Sequence, residues 1–268
     1  CINMKTNKLH QITKATIDIY KSQGYVKIKD VFNPKELAIT EEKLDLIISK
    51  EKLTLLSLEK RDTYGKAFIQ LGNLWEQDQV IKSLVYSKHL AHIATQLMEV
   101  NSVRLYHDQV LYKEAGGGIT PWHCDQQYWP LTSDKTITAW IPLQATPLEM
   151  GPLEFSPGSQ QLLKGRNLEI GDESEKELDN ILRLTDFKKH RTSFDLGEVS
   201  FHSGWVFHRA GANTTNKTRK VMTVIYMDGE MKLKFPDNEN QTRDMEKWCP
   251  GTSIGEIIDS PLNPILFP

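Results

Sequence analysis

The 268-residue chain is predicted to be an α+β protein whose β part forms a barrel or a double-sheet sandwich, with helices packed outside. Two observations predict this class. Helical spacing dominates residues 1–100, whereas short alternating or β-branched segments dominate residues 101–230. A chain of this length is normal for one large mixed domain, so we expect a single domain over residues 1–268 with a C-terminal tail at 231–268.

The N-terminal helices are predicted from periodicity and from their start and stop signals. A first helix, carrying apolar residues from Leu9 to Tyr20, should end at Gly24. The sequence YVKI (25–28) resembles a strand. Asn33, Pro34 and Glu36 fit a capped helix start, and that helix should run to about residue 50. Two further helices are expected at 77–86 and 88–99, with four residues facing inward: Val80, Leu84, Ile93 and Leu97.

The β segments follow after residue 100, and turn signals rich in glycine, serine and proline separate several of them. A charged, partly helical insertion at 165–190 interrupts the series. The predicted strands are 103–112, 136–143, 191–196, 198–202, 206–210 and 219–227.

Composition excludes several classes of function. A formal net charge of −2 predicts no general attraction to nucleic acid or to an anionic membrane. No apolar run approaches the ~18 residues that a membrane span needs, and no secretory leader is apparent. Three widely separated cysteines do not form a disulfide framework. We therefore expect the cytoplasm as the compartment.

The segment PWHCDQQYWP (121–130) contains His123 and Asp125 in an H-x-D pattern. On a strand, residues i and i+2 point to the same side, so both side chains would project together, with Cys124 facing away. A third ligand must then come from another strand, and His202 and His208 both satisfy that criterion. Four other histidines are interpreted as surface or core residues: His10, His89, His92 and His190.

Two histidines and one carboxylate on one face of a metal are typical of non-haem Fe(II) oxygenases. An oxygenase that uses a 2-oxo acid must also hold the far carboxylate of that acid, for which arginine is the best group. Arg219 lies eleven residues after His208. Two rivals remain open: a metal-binding jelly roll that isomerises or hydrolyses a small molecule, and a non-catalytic binding protein.

The order H-x-D, late histidine, arginine resembles the phytanoyl-CoA dioxygenase family of Fe(II)- and 2-oxoglutarate-dependent oxygenases. The stretches WHCDQQYWPL, TAWIPL, GPLEFSPGS and FHSGWVFHRAGANTTNKTR also resemble it, over residues 100–230. The resemblance implies a double-stranded β-helix, a cupin-like jelly roll. It implies that the iron ligands are His123, Asp125 and His208 and that Arg219 anchors 2-oxoglutarate. It also implies that two further residues, Gln109 and Trp140, line the co-substrate pocket.

The chain departs from the family pattern at two places. In the family a residue with a hydroxyl group often lies two positions after the late histidine, where this chain has Ala210. The family motif PGSH is PGSQ in this chain, so Ser159 is followed by Gln160 instead of histidine. Lys66 and Gln70 lie in a region that the family often uses at its pocket. His202 is interpreted as a buried histidine hydrogen-bonded near the site.

The resulting prediction is an Fe(II)- and 2-oxoglutarate-dependent dioxygenase that uses O₂ to hydroxylate an unactivated C–H bond of a small molecule, releasing succinate and CO₂. Related halogenases replace the carboxylate ligand by a small residue, so Asp125 favours hydroxylation. Tyr128 and Trp129 directly follow the H-x-D motif and are candidates for the substrate wall.

Overall fold

Seven α-helices and two antiparallel β-sheets make up the part of the chain that the computed structural model describes, Leu9 and residues 11–268. Cys1 and His10 lie outside the described residues. The helices are Lys14–Gln23 (α1), Pro34–Lys52 (α2), Thr63–Ala67 (α3), Gln79–Val85 (α4), Lys88–Met98 (α5), Asp172–Leu184 (α6) and Glu239–Trp248 (α7). The strands are Tyr25–Ile28 (β1), Ile69–Gly72 (β2), Val103–Lys113 (β3), Thr120–His123 (β4), Thr136–Pro142 (β5), Leu153–Phe155 (β6), His190–Arg191 (β7), Val199–Ser203 (β8), His208–Ala210 (β9), Arg219–Asp228 (β10) and Ile265–Phe267 (β11).

The larger sheet has the order β1-β8-β5-β10-β3-β11, and β2 also pairs with β3. The smaller sheet has the order β4-β9-β6-β7. The predicted α+β class is confirmed. Within the described residues, no strand pairing joins the two sheets into a closed barrel.

The N-terminal helices begin and end where their local chemistry allows. The side chain of Asn33 accepts a hydrogen bond from the backbone of α2, and Glu36 completes the predicted capping box. Helix α1 starts later than expected, because the side chain of Thr13 caps it; Leu9 and Ile12 therefore precede the helix. Gly24 ends α1 with a left-handed φ of 78°.

The main core lies between the helices and one face of the larger sheet. Strand residues alternate, so Met222, Val224 and Tyr226 of β10 point into this core beside Ile137 and Ala139 of β5. Leu84, Ile93 and Leu97 are buried as predicted, whereas Val80 is only half-buried. The helices thus cover one face of the larger sheet and leave its other face for a cavity.

Two segments differ from expectation. Of the predicted strand 191–196, only Arg191 lies in a strand, the two-residue edge strand β7, because Phe194 is held by a single bridge to Thr146 instead of a continued ladder. The C-terminal tail contains helix α7 and strand β11, which pairs with the start of β3. Among the described residues, no helix combines the length and apolar character needed to cross a membrane.

Candidate metal centre

His123, Asp125 and His208 come together where the two short strands β4 and β9 pair. His123 lies directly opposite His208 in this antiparallel pair, with their ring centroids 4.2 Å apart. Strand β4 ends at His123, and Asp125 begins a short 3-10 turn, so the prediction of one continuous strand is corrected. Cys124 nevertheless keeps extended backbone angles, which preserves the same-side arrangement of its two neighbours.

Both histidines are oriented by hydrogen bonds from their Nδ1 atoms. His123 Nδ1 donates to the carbonyl of Pro121 at 2.7 Å, and His208 Nδ1 donates to that of Val206 at 3.1 Å. A carbonyl can only accept, so the proton lies on Nδ1 and the Nε2 lone pair is free. Each Nε2 atom lies 3.6 Å from Oδ1 of Asp125. This arrangement is the one that histidine metal ligands adopt.

The two oxygens of Asp125 have different surroundings. Oδ2 accepts hydrogen bonds from Thr138 Oγ1 at 3.1 Å and from His202 Nε2 at 3.2 Å. Oδ1 instead faces the Nε2 atoms of His123 and His208. His202 is therefore a buried histidine hydrogen-bonded beside the site, as predicted. Its Nε2 is occupied, which distinguishes it from His208. One ligand atom from each of His123, Asp125 and His208 lies within 4.8 Å of the others.

The charge state of the cluster suits a divalent cation. Burial, reinforced by His123, holds the pKa of His208 well below its ordinary value, and burial also lowers the pKa of His123. Burial alone would raise the pKa of Asp125, but the surrounding histidines, His208 foremost, hold it below its ordinary value. Two neutral imidazoles and one carboxylate form a donor set that binds Fe(II).

The cluster opens into a cavity of about 1020 Å³ between the two sheets. The residues predicted from the sequence to line a pocket do line it, namely Gln109, Tyr128, Trp129, Trp140 and Arg219. Gln70 also reaches the cavity, whereas Lys66 does not and instead offers its carbonyl to Gly118. Trp129 packs mainly in a core cluster, and the hydroxyl of Tyr128 accepts a hydrogen bond from Ile170.

Arg219 is a buried cation without an acidic partner in the described part of the chain. It is 1% exposed, lines the cavity, and donates from Nη1 to the carbonyl of Gly151. Its Nε atom has no hydrogen-bond partner, and burial lowers its pKa to about 9. A buried guanidinium of this kind is costly unless an anion binds to it. Arg219 is therefore a candidate position for binding an anion in the cavity.

Sequence reasoning missed several residues of this site. Thr138 lies two residues before Trp140 on β5, so strand alternation was a usable signal for its position in the cavity. Trp248 of α7 stacks on His107 of β3 with ring centroids 4.3 Å apart, and both line the cavity. This contact joins distant parts of the chain, and no local pattern announces it.

Comparison with known proteins agrees with this geometry. The phytanoyl-CoA dioxygenase family model matches residues 20–221. A probable alpha-ketoglutarate-dependent hypophosphite dioxygenase of Stutzerimonas stutzeri is 25% identical over 219 residues, which cover 77% of this chain and 76% of that protein.

Two solved structures have the same fold. The alpha-ketoglutarate-dependent carbocyclase SnoK from nogalamycin biosynthesis has a TM-score of 0.75 at 23% identity, covering 95% of this chain and 96% of its own. The epimerase SnoN, in complex with Fe³⁺, alpha-ketoglutarate and nogalamycin RO, has a TM-score of 0.75 at 22% identity. This match covers 94% of this chain and 98% of the SnoN chain. The chain thus belongs to the phytanoyl-CoA dioxygenase family of Fe(II)- and 2-oxoglutarate-dependent dioxygenases.

Proposed function

We propose that the protein hydroxylates an unactivated C–H bond of a small molecule, converting 2-oxoglutarate and O₂ to succinate and CO₂. The observation that carries this proposal is the presence, in one cavity, of a His–Asp–His cluster and the uncompensated buried cation of Arg219. The cluster suits Fe(II), and the cation suits the far carboxylate of a 2-oxo diacid.

In this proposal Fe(II) would be held by three atoms: Nε2 of His123, Oδ1 of Asp125 and Nε2 of His208. Their orientation is set before metal binding, since backbone carbonyls fix both imidazoles. Fe(II) held by these three residues would supply the oxidation together with 2-oxoglutarate and O₂.

Arg219 is proposed to bind the far carboxylate of 2-oxoglutarate. The unpartnered Nε and the planar guanidinium provide donors that fit a carboxylate. The ring of Trp140 lies 5.4 Å from the guanidinium carbon, so it can hold the plane of Arg219 in place. Gln109, on the neighbouring strand β3, is the second proposed co-substrate residue.

The rest of the cavity is proposed to bind the substrate and to exclude water. Tyr128 and Trp129 supply an aromatic wall beside the metal cluster, and Trp248 extends it. The Stutzerimonas stutzeri relative is named for hypophosphite and the SnoN complex contains nogalamycin RO, which supports a small molecule as the substrate class. Retention of Asp125 supports hydroxylation over halogenation.

We further propose that residues 1–268 form one domain with a double-stranded β-helix at its centre. In this arrangement the smaller sheet β4-β9-β6-β7 faces the larger sheet across the cavity. The solved structures with the same fold, which cover nearly the whole chain, support this arrangement.

The test is the formation of succinate from 2-oxoglutarate by the purified protein with Fe(II) and O₂, with and without a chelator. We expect iron-dependent succinate that His208→Ala abolishes, whereas His202→Ala retains measurable turnover because its imidazole only supports Asp125. If His208→Ala keeps normal turnover and His202→Ala loses it, the ligand assignment is wrong. If 2-oxoglutarate is not consumed in the presence of Fe(II), a non-oxidative metal enzyme or a binding protein is favoured instead.

A further inference from the structure

Helix α7 turns a polar stripe toward the cavity instead of an apolar one. Asn240, Asp244 and Trp248 are spaced four residues apart, so they share one face of the helix, and all three line the cavity. Asn240 Nδ2 donates to Glu169 at 2.7 Å, and the Trp248 ring stacks on His107. A helix face that covers an interior is normally apolar. A carboxylate in the middle of this stripe is costly unless a positive charge meets it.

Asp244 is a half-buried carboxylate that has no ion-pair partner in the part of the chain that the structure describes. Two cations of the same helix contact other groups: Arg243 donates to Oδ1 of Asn240, and Lys247 Nζ lies 4.4 Å from the ring centroid of Trp248. Both cations are exposed, so solvent screens their charge. Burial raises the pKa of Asp244 to about 7, and the opposing influence of nearby side chains, Lys247 foremost, does not cancel this effect. The ionised carboxylate is therefore uncompensated within the cavity.

His107 adds a hydrogen-bond acceptor to the same wall. It is 2% exposed, lines the cavity, and donates from Nδ1 to the carbonyl of Asp108 at 3.4 Å, which leaves the Nε2 lone pair as an acceptor. Burial lowers the pKa of His107 to about 3, so the ring is neutral. The wall formed by His107, Asp244 and Trp248 therefore offers two acceptors, one of them charged.

This wall lies at the end of the cavity away from Arg219. In the β3–β10 ladder Arg219 is opposite Lys113, whereas His107 is opposite Ile225. Six residues separate these two positions along each strand, which corresponds to about 20 Å. A ligand at Arg219 and a ligand at this wall consequently occupy different parts of the cavity.

Helix α7 is nevertheless attached to the turn that carries Asp125. Gln241 Nε2 donates to the carbonyl of Gln127 in that turn at 3.1 Å. The pKa of Tyr64, on the cavity wall, is raised chiefly by desolvation and further by several groups that include both Asp125 and Asp244. Both carboxylates thus lie near one phenol, and a small molecule held at Asp244 can extend toward the metal cluster.

We propose that the substrate carries a protonated amine, that Asp244 is the substrate-binding residue that pairs with it, and that His107 Nε2 accepts a second hydrogen bond from the same nitrogen. This inference rests on the proposed function, because it names the substrate class for that cavity. An ammonium group supplies the positive charge that the chain does not provide at Asp244, and it has three N–H donors for the two acceptors. Tyr128 and Trp129 contribute an aromatic wall for the apolar part of the molecule. The site consequently prefers an amine to an alcohol or a carboxylate of the same shape.

The probes are phenethylamine, 2-phenylethanol and 3-phenylpropanoate, which share one apolar group and carry an ammonium, a hydroxyl and a carboxylate group respectively. Their binding to the protein loaded with Fe(II) and 2-oxoglutarate is measured anaerobically by calorimetry at about pH 8, where Asp244 is ionised. We expect the amine to bind most tightly. Asp244→Asn should weaken amine binding about tenfold or more, because a charge-assisted hydrogen bond is lost, and should leave 2-phenylethanol binding unchanged.

The matched control is Glu246→Gln, which removes the same charge from an exposed position on α7 outside the cavity. Its amine affinity should stay within about twofold of the parent, since solvent and salt screen that charge. His107→Phe keeps an aromatic ring against Trp248 without the acceptor, so it should weaken binding of the amine and not of the alcohol.

Three results would overturn the inference: equal affinities for the three probes, no binding of the amine, or an Asp244→Asn variant that keeps the preference for the amine. If Asp244→Asn fails to fold, the preference of the unaltered protein among the three probes still decides the matter. The same calorimetry on the metal-free protein separates this inference from the proposed function. Amine binding that requires Asp244, in a protein that does not consume 2-oxoglutarate with Fe(II), would overturn the proposed function and leave the amine site standing.

Discussion

Replacing Thr138 by valine removes one of the two hydrogen bonds that hold Asp125. Thr138 is 4% exposed, and its hydroxyl donates to Oδ2 of the carboxylate at 3.1 Å. Valine has nearly the same shape, so the packing around β5 should survive. The carboxylate keeps its other donor, His202, on the same oxygen. The change therefore loosens the orientation of Asp125 without removing any proposed ligand.

The expected magnitude follows from the chemistry of that contact. A hydrogen bond to a charged group contributes about 1.5–3 kcal/mol, and each ~1.4 kcal/mol corresponds to a factor of ten in affinity. Loss of a group that orients a metal ligand typically costs about 10- to 100-fold in metal affinity. Because His202 remains in place, we expect the loss for Thr138→Val to lie at the lower end of this range, at about a tenfold loss of Fe(II) affinity.

The assay is anaerobic competition for Fe(II) between the protein and a chelator of known affinity. Thr138→Ser is the matched control, because it keeps the hydroxyl, and its Fe(II) affinity should remain within about twofold of the parent. Metal-free thermal unfolding of both variants checks that the fold is intact. Fe(II) affinity of Thr138→Val within twofold of the parent would refute the claim that the hydroxyl positions Asp125 for metal binding.

Two further predictions concern the stability of the strands around the site. Glu175 of α6 accepts from the buried backbone N–H of Trp122 at 2.8 Å, so Glu175→Ala should lower the free energy of unfolding by about 1–3 kcal/mol in urea. Glu177→Ala, an exposed position on the same helix, should change it by less than about 0.5 kcal/mol, and equal effects would exclude a specific role for Glu175. Gly117→Ala would place a Cβ 2.9 Å from a backbone carbonyl oxygen and should cost about 1–3 kcal/mol by the same measurement. Gly118→Ala, where the atom nearest to the new Cβ would be Lys66 Cβ at an ordinary 3.4 Å, is the control, and an equal loss in both variants would contradict the steric reasoning.

The sequence was sufficient for the metal cluster because its signals are local or ordered along the chain. H-x-D places two side chains on one side of an extended segment, and the spacing of His208 from Arg219 fits the family pattern. The helix start at Asn33 was predictable for the same reason, since the capping residues lie within one turn.

The remaining features depend on which strands pair and in what register. Nothing near Lys113 in the sequence indicates that it lies opposite Arg219, because that neighbour comes from a distant strand. The different surroundings of the two Asp125 oxygens likewise depend on the turn that begins after His123. The strand therefore ends two residues before Asp125, where the pattern predicts that it continues. Helix α7 was missed because its sequence is mostly polar, and its place is set by contacts such as the hydrogen bond from Gln241 to the carbonyl of Gln127.

The most direct test of the metal centre is an anomalous difference map at the iron absorption edge, from crystals of the protein prepared with Fe(II) without oxygen. The proposal predicts one iron peak bonded to Nε2 of His123, Oδ1 of Asp125 and Nε2 of His208, with His202 still hydrogen-bonded to Oδ2 of Asp125. An iron peak bonded to His202 in place of His208, or one away from this cluster, would contradict it.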